Sequence, residues 1–483
     1  MNNSNHIFPD ISYEYQYYQN YQNYYAEINY PPKPSSLGTA CIILSAILAP
    51  MLSQSAETPT TMANIVAVTT GIGLLTSIAL DFRGGLRNLF RTDLMCLVSI
   101  YFLTLFEFLS LPEDFNKRIS VDQANQALIV ICIGIAGLAI GRHLIVLKPV
   151  KSKWLNFSKI SNKTLFLLFI VSSFLGFLHI LLTVDFNIFT MIDELLGPRF
   201  SQPWGRGRLG GWSTLLTEVG LLRLVIPPLA GIILNRRSTF PKFQIIIVIL
   251  IFLLTLFQGF ASGSRNIYVA YFATFLMSYI LTIPRNTLIN TMIPVALSAF
   301  LVMYGSYHML EFRTIGLRNY VVNKVYESGN TRTTLAVDYN LAPLGQVISV
   351  FPISNEFLGT EVLVWSLIKP IPRAFWPSKP EGLSISIEES VGAGAGYTVA
   401  TTYLGESYIM AGHFGVIATS LFFGALSAWW NRLALQKQSD YAMVVYALGF
   451  FVAVITMRSM FWLTTMMLPI VALVVLHKFF LKR

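Results

Sequence analysis

Strongly apolar runs recur along this chain, many near the 18 to 20 residues that a helix needs to cross a bilayer. Twelve are read as spans: 37–54, 63–80, 94–111, 127–147, 164–184, 213–234, 244–261, 266–283, 290–309, 409–430, 442–457 and 461–477. Only 12% of the 483 residues are charged and 54% are hydrophobic, against roughly 25% charged in soluble domains. The predicted fold is an all-α polytopic membrane protein with about 12 transmembrane helices and one long outer segment. The polar N-terminus lacks the basic-then-apolar pattern of a cleavable signal peptide.

Charge sets the expected orientation. With the N-terminus inside, the cytoplasmic side collects 19 Lys and Arg, the short outer loops 7 and the long outer segment another 7. Cytoplasmic loops carry such an excess, and long loops translocate largely regardless of charge. Both termini are therefore expected to be cytoplasmic. The net charge of +10 belongs to this bias and implies no nucleic-acid partner. Cys41, Cys96 and Cys132 all lie inside apolar runs, which gives no disulfide framework and no metal spacing.

The domain reading follows. Residues 1–36, with eight tyrosines in SYEYQYYQNYQNYYAEINY before PPKPSS, read as a disordered cytoplasmic tail. Residues 37–309 hold spans one to nine, 310–408 an outer segment folded against the membrane face, and 409–483 the last three spans.

The outer side gathers charged residues from distant parts of the chain. Arg265 opens a span in GSRN, Arg313 follows one in HMLEFRTIG, and Arg458 sits in a tight turn. Glu406 precedes span ten in TYLGESY. The stretch KPIPRAFWPSKP packs four prolines around Lys369, Arg373 and Lys379. Proline fixes φ and removes a donor, so this is a stiff loop rather than helix interior. Each cation taken singly is a candidate snorkelling residue at a span end. Arg223 lies inside span six with Glu218 five residues away. An intramembrane cation costs about 2.5–3.5 kcal/mol on insertion scales, which points to a polar cavity open to the outside, with an internal ion pair as the alternative.

Several arginines around one space suit a diphosphate, because guanidinium forks match phosphate oxygens. One carboxylate among them, Glu406, is a candidate general base or orienting group for a hydroxyl; structural pairing with Arg458 or Arg265 is its competing role. Trp204, Trp212, Trp365 and Trp376 lie on outer segments, as sugar platforms or as interface anchors. The Gly-rich QPWGRGRLGGW, residues 202–212, is a candidate mobile loop. His308 and His413 are isolated. There is no Walker-type loop, no His/Cys cluster and no DxD-like pair in the outer segment, so a nucleotide-sugar donor is not indicated.

GSRN, the PR-x-x-WP-x-KP element and LGE-x-Y-x-x-x-G-x-x-G together resemble the Wzy-type oligosaccharide repeat-unit (O-antigen and capsule) polymerases, most closely over residues 260–425. The resemblance implies a GT-C-like membrane glycosyltransferase of the bacterial inner membrane, without cofactor or metal. It would join repeat units carried on undecaprenyl diphosphate at the periplasmic face, with a chain-length regulator protein as a candidate partner. Arg265, Arg373, Lys379 and Glu406 are carried over from the matching motifs. Arg313 and Arg458 rest on topology and a weaker resemblance, and Arg223 on its place inside span six. An O-antigen ligase-like transferase and a flippase for lipid-linked oligosaccharide remain alternatives.

Overall fold

The computed structural model describes residues 33–145, 152, 154–204, 213–283, 288–322, 339–373, 375–392, 400–436 and 439–481. The Tyr-rich tail up to residue 32, residues 205–212 of the Gly-rich stretch and residues 393–399 lie outside them. The described residues contain no strand. Among the described residues, ten helices are long and apolar enough to cross a membrane: Ser36–Ser53 (α1), Pro59–Phe82 (α2), Val121–Gly141, Asn162–Thr183, Leu215–Asn235, Lys242–Ala261, Ile289–Met309, Thr402–Leu435, Asp440–Arg458 and Met460–Leu481. The protein is a polytopic helical membrane protein.

Two further runs fold as helices of a different character. Thr92–Thr104 (α3) has 13 residues and passes into a 3-10 turn at Phe106–Ser110. Val121–Gly141 (α4) and Asn162–Thr183 (α5) follow it, then the short Ile188–Leu195 (α6). The Leu215–Asn235 run is not one regular helix. It is Ser213–Val219 (α7), a 3-10 stretch Gly220–Val225, and Ile226–Asn235 (α8). Lys242–Ala261 (α9) leads into Arg265–Thr282 (α10), which is less apolar because it opens on Arg-Asn and carries three tyrosines. Leu288–Ile315 (α11) completes the first part.

Among the described residues the segment after it holds four short helices, Leu317–Val321 (α12), Leu341–Val350 (α13), Glu361–Ile368 (α14) and the single turn Ile387–Ser390. Thr402–Trp430 (α15), Asp440–Arg458 (α16) and Leu463–Leu476 (α17) end the chain. Two apolar clusters form: one from α1 to α4 with α13 and α15, the other from α5, α8 to α11, α16 and α17. α16 runs between them, packed on α3, α10, α15 and α17 and buried along nearly its whole length. Its C-terminal residue, Arg458, is thereby delivered to the centre of one end of the bundle.

α15 carries Glu406 and differs from the expected span ten. Helical structure begins at Thr402, before residue 409, and breaks at Ala411 (φ −161°, ψ 34°) and Gly412 (φ 61°, ψ −145°). The Gly412 conformation is one that essentially only glycine adopts. The break frees carbonyls, and the preceding segment takes them up. Leu358 and Gly359 donate their amides to Ile409 O and Met410 O, each at 3.0 Å. The G-x-x-G of the motif has this cause: a Cβ at Gly415 would stand 2.1 Å from Ser407 O.

At the opposite end, charges counted above as loop cations are buried. Arg91 bonds Asp81 at 2.9 Å and Asp93 at 3.1 Å. Arg142 donates to Thr39 Oγ1 and Ser77 Oγ, and lies 3.7 Å from Asp81. Asn431 at the end of α15 joins through its side chain to Asp93 and to the Thr92 amide. Two arginines and two aspartates thus lock α1 to α4 and α15 together. Sequence reading missed this network. Its signal was Asp81 and Asp93 flanking Arg91 at span ends of an acid-poor chain.

Candidate functional site

The end of the bundle opposite the buried ion network is where the sequence-predicted residues fall. Glu406 is buried in the first turns of α15. One carboxylate oxygen accepts from Ser459 Oγ and the other from the Met460 amide at 2.6 Å. The carboxylate therefore holds the turn immediately after Arg458. Arg458 itself donates to Asn266 Oδ1 at 3.2 Å, next to Arg265 at the start of α10.

The same turn ties in the proline-rich stretch. Ser366 Oγ donates to Met460 O at 3.0 Å, and Thr464 Oγ1 donates to Ser366 O. Lys369 closes α14 and sets its ammonium 4.9 Å from the Trp462 ring centroid and 5.7 Å from that of Phe461. Lys379 is buried. Its Nζ donates to Lys369 O at 2.6 Å and Ile371 O at 2.9 Å, so it closes the loop on itself. Burial, and then the neighbouring charge of Arg373, lower the Lys379 pKa from its ordinary value, with Glu218 acting the other way. Arg373 is exposed, donates to Pro380 O at 3.3 Å and lies 3.8 Å from Glu381. Of the two loop cations, Arg373 is thus presented outward and Lys379 is spent on loop shape.

Arg313, in the last turn of α11, is exposed. It stands over the turn that precedes Arg265: a Cβ at Gly263 (φ +61°) would lie 2.8 Å from Arg313 Cβ. Arg199 shares the spot through a 3.5 Å bond to Gly263 O. Burial first and the charge of Arg313 second lower its pKa from the ordinary arginine value. Sequence reading counted Arg199 only as a loop charge.

Arg223 sits in the 3-10 break between α7 and α8. Its stem packs on Gly176, where a Cβ would come within 2.6 Å of Arg223 Cγ. Nε donates to Gly220 O at 3.1 Å, and the guanidinium lies 5.8 Å from the Phe177 centroid. Nη1 is buried and has no hydrogen-bond partner among the described residues, and the same holds for Nδ1 of the nearby His179. Among the described residues no ion pair joins it to Glu218, the expected partner; the two are separated by the change from α7 to 3-10 geometry.

Residues 344–483 match a family model described as a domain of unknown function (DUF8712). That stretch includes Arg373, Lys379, Glu406 and Arg458, and leaves Arg223, Arg265 and Arg313 outside. No curated protein and no solved structure matches the chain.

The geometry gathers Arg265, Arg313, Arg458, Glu406, Lys379 and Arg373 through successive contacts at one end, with Arg223 in a broken helix. Such a surface can bind an anion while a hydroxylated partner approaches. Because Lys379 holds two carbonyls, Lys379→Met should free the loop, losing charge-assisted bonds worth about 1.5–3 kcal/mol each. Limited proteolysis in detergent should then cut within 369–380 faster than in the wild type, with the thermal midpoint of the rest little changed.

Proposed function

We propose that this protein is a membrane glycosyltransferase that joins oligosaccharide repeat units carried on undecaprenyl diphosphate at the periplasmic face of the bacterial inner membrane. In this reading the chain crosses the membrane twelve times with both termini cytoplasmic, α3 and α10 completing the ten longer helices in a GT-C-like arrangement. The chemistry needs no metal or cofactor, and a chain-length regulator is a candidate partner.

The observation that carries the reading is the contact chain at one end of the bundle. Glu406 holds the Ser459–Met460 turn, Arg458 reaches Asn266 beside Arg265, and the same turn holds α14 and the proline-rich loop. Arg265, Arg313, Arg373 and Arg458 would bind the diphosphate. Glu406 fixes the turn that presents Arg458, and its remaining lone pairs would orient or deprotonate the incoming sugar hydroxyl.

Arg265→Lys and Arg373→Lys should each shorten the polymer. Lysine keeps the charge and loses the bidentate fork. One charge-assisted contact is worth about 1.5–3 kcal/mol, roughly 10- to 150-fold in rate. Glycan ladders from cells expressing each variant report this, and full-length polymer from Ala at both positions would show that they anchor the interface only.

A second reading has its own support. The break at Gly220–Val225 carrying Arg223 has the form of the discontinuous helices that bind substrate in transporters, which favours a flippase for the same lipid. A ligase-like transferase would share the site. Deleting the gene and resolving the surface glycan on a gel separates the three. A polymerase mutant leaves one repeat unit attached, a ligase mutant leaves detached polymer, and a flippase mutant leaves none on the outside.

A further inference from the structure

The C-terminal end of α11 carries a second polar cluster, and among the described residues no hydrogen bond given for Glu406 runs to it. α11 has 28 residues, about 42 Å at 1.5 Å per residue. A hydrocarbon core is about 30 Å thick, so about eight residues of α11, His308 to Ile315, extend past it, and Tyr304 and Tyr307 stand in the turn at its boundary. On these turns Tyr320 of α12 donates its hydroxyl proton to Glu311, and His308 Nδ1 lies 2.7 Å from the same hydroxyl. An ionised carboxylate only accepts, and a phenol has one proton to give. That proton is committed to Glu311, so His308 must donate from Nδ1. In a neutral imidazole this leaves Nε2 as a bare acceptor, and it has no hydrogen-bond partner among the described residues.

Two aromatic rings flank that imidazole edge-to-face. Tyr304 is 4.4 Å and Tyr307 5.2 Å from it, centroid to centroid. Both tyrosines are more than half exposed. An interface anchor needs only the rings. It does not need an imidazole fixed in one tautomer by a tyrosine from another helix and a carboxylate one turn on.

We propose that Tyr304, Tyr307 and His308 form a saccharide-binding subsite, in which the rings pack on the C–H face of a sugar and His308 Nε2 accepts a hydrogen bond from one of its hydroxyls. Tyr320 and Glu311 are positioning residues that hold the imidazole tautomer. The inference rests on the reading that the protein handles lipid-linked glycans, and it concerns their sugar part rather than the diphosphate.

The test uses full-length protein in nanodiscs and, as probe, oligosaccharide repeat units released from the host's own lipid-linked glycan by mild acid. Saturation-transfer NMR and calorimetry read binding of the free sugar. Wild type should bind it. Tyr304→Ala and His308→Ala should each weaken binding at least tenfold, Tyr304→Phe should retain most of it, and Tyr320→Phe should weaken it several-fold at an unchanged thermal midpoint. Unchanged affinity in a stable His308→Ala, Tyr304→Ala double variant would overturn the subsite. So would a fall in the thermal midpoint of Tyr304→Ala without a fall in affinity, which would make the rings membrane anchors. Sugar binding that persists in a protein found not to polymerise would leave the subsite standing and remove only the catalytic reading.

Discussion

Arg91→Met should destabilise the protein by about 3–5 kcal/mol, because it leaves two buried carboxylates without their cation. Asp81 and Asp93 are both held by the Arg91 guanidinium, and all three side chains are at most 1% exposed. Arg142 touches Asp81 only at 3.7 Å and cannot replace both bonds. Five helices meet at this network, so the loss should appear as a large drop in the thermal midpoint in detergent and in abundance in the membrane. Adding Asp81→Asn and Asp93→Asn should restore much of the loss, since removing a buried ion set together is far less costly than breaking it. A stable single variant would mean that water reaches the carboxylates.

Glu406→Ala should abolish polymer and lower stability together. Its two oxygens accept from the Met460 amide and Ser459 Oγ, and a buried donor left without a partner costs about 1–3 kcal/mol. The turn that fixes Arg458 would then lose its anchor. Glu406→Gln separates the roles. The glutamine carbonyl can still accept from Met460, so the fold should persist with a small shift in thermal midpoint. If the negative charge acts on a sugar hydroxyl, this stable protein should lose roughly 10²- to 10⁴-fold in joining rate. Single-turnover joining of purified lipid-linked units measures it. Normal polymerisation by stable Glu406→Gln would assign the carboxylate to the turn alone.

The helical membrane fold was legible because hydropathy is written in long blocks, and each of the twelve apolar runs contains a helix. Details that depend on neighbours were not. The break at Ala411–Gly412 exists because Leu358 and Gly359 supply amides to Ile409 and Met410, a pairing across fifty residues that no local pattern encodes. The interruption of the Leu215–Asn235 run at Gly220–Val225 is likewise set by packing, with Gly176 of α5 pressed onto the Arg223 backbone. Lys379 shows the limit for single side chains. Its motif marked it as a cation beside Arg373, yet it bonds the carbonyls of its own loop. Conversely, the sequence placed Arg458 and Arg265 only on the same side of the membrane, and the fold brings Arg458 onto Asn266, the residue after Arg265.

The central claim is that one protein joins lipid-linked saccharides. Its most direct test is the purified full-length chain in lipid vesicles, supplied with a polyprenyl-diphosphate-linked repeat unit. The account predicts a ladder of longer glycans, with one polyprenyl diphosphate released for each unit joined. Repeat units that cross the bilayer unchanged, with no release of polyprenyl diphosphate, would contradict it.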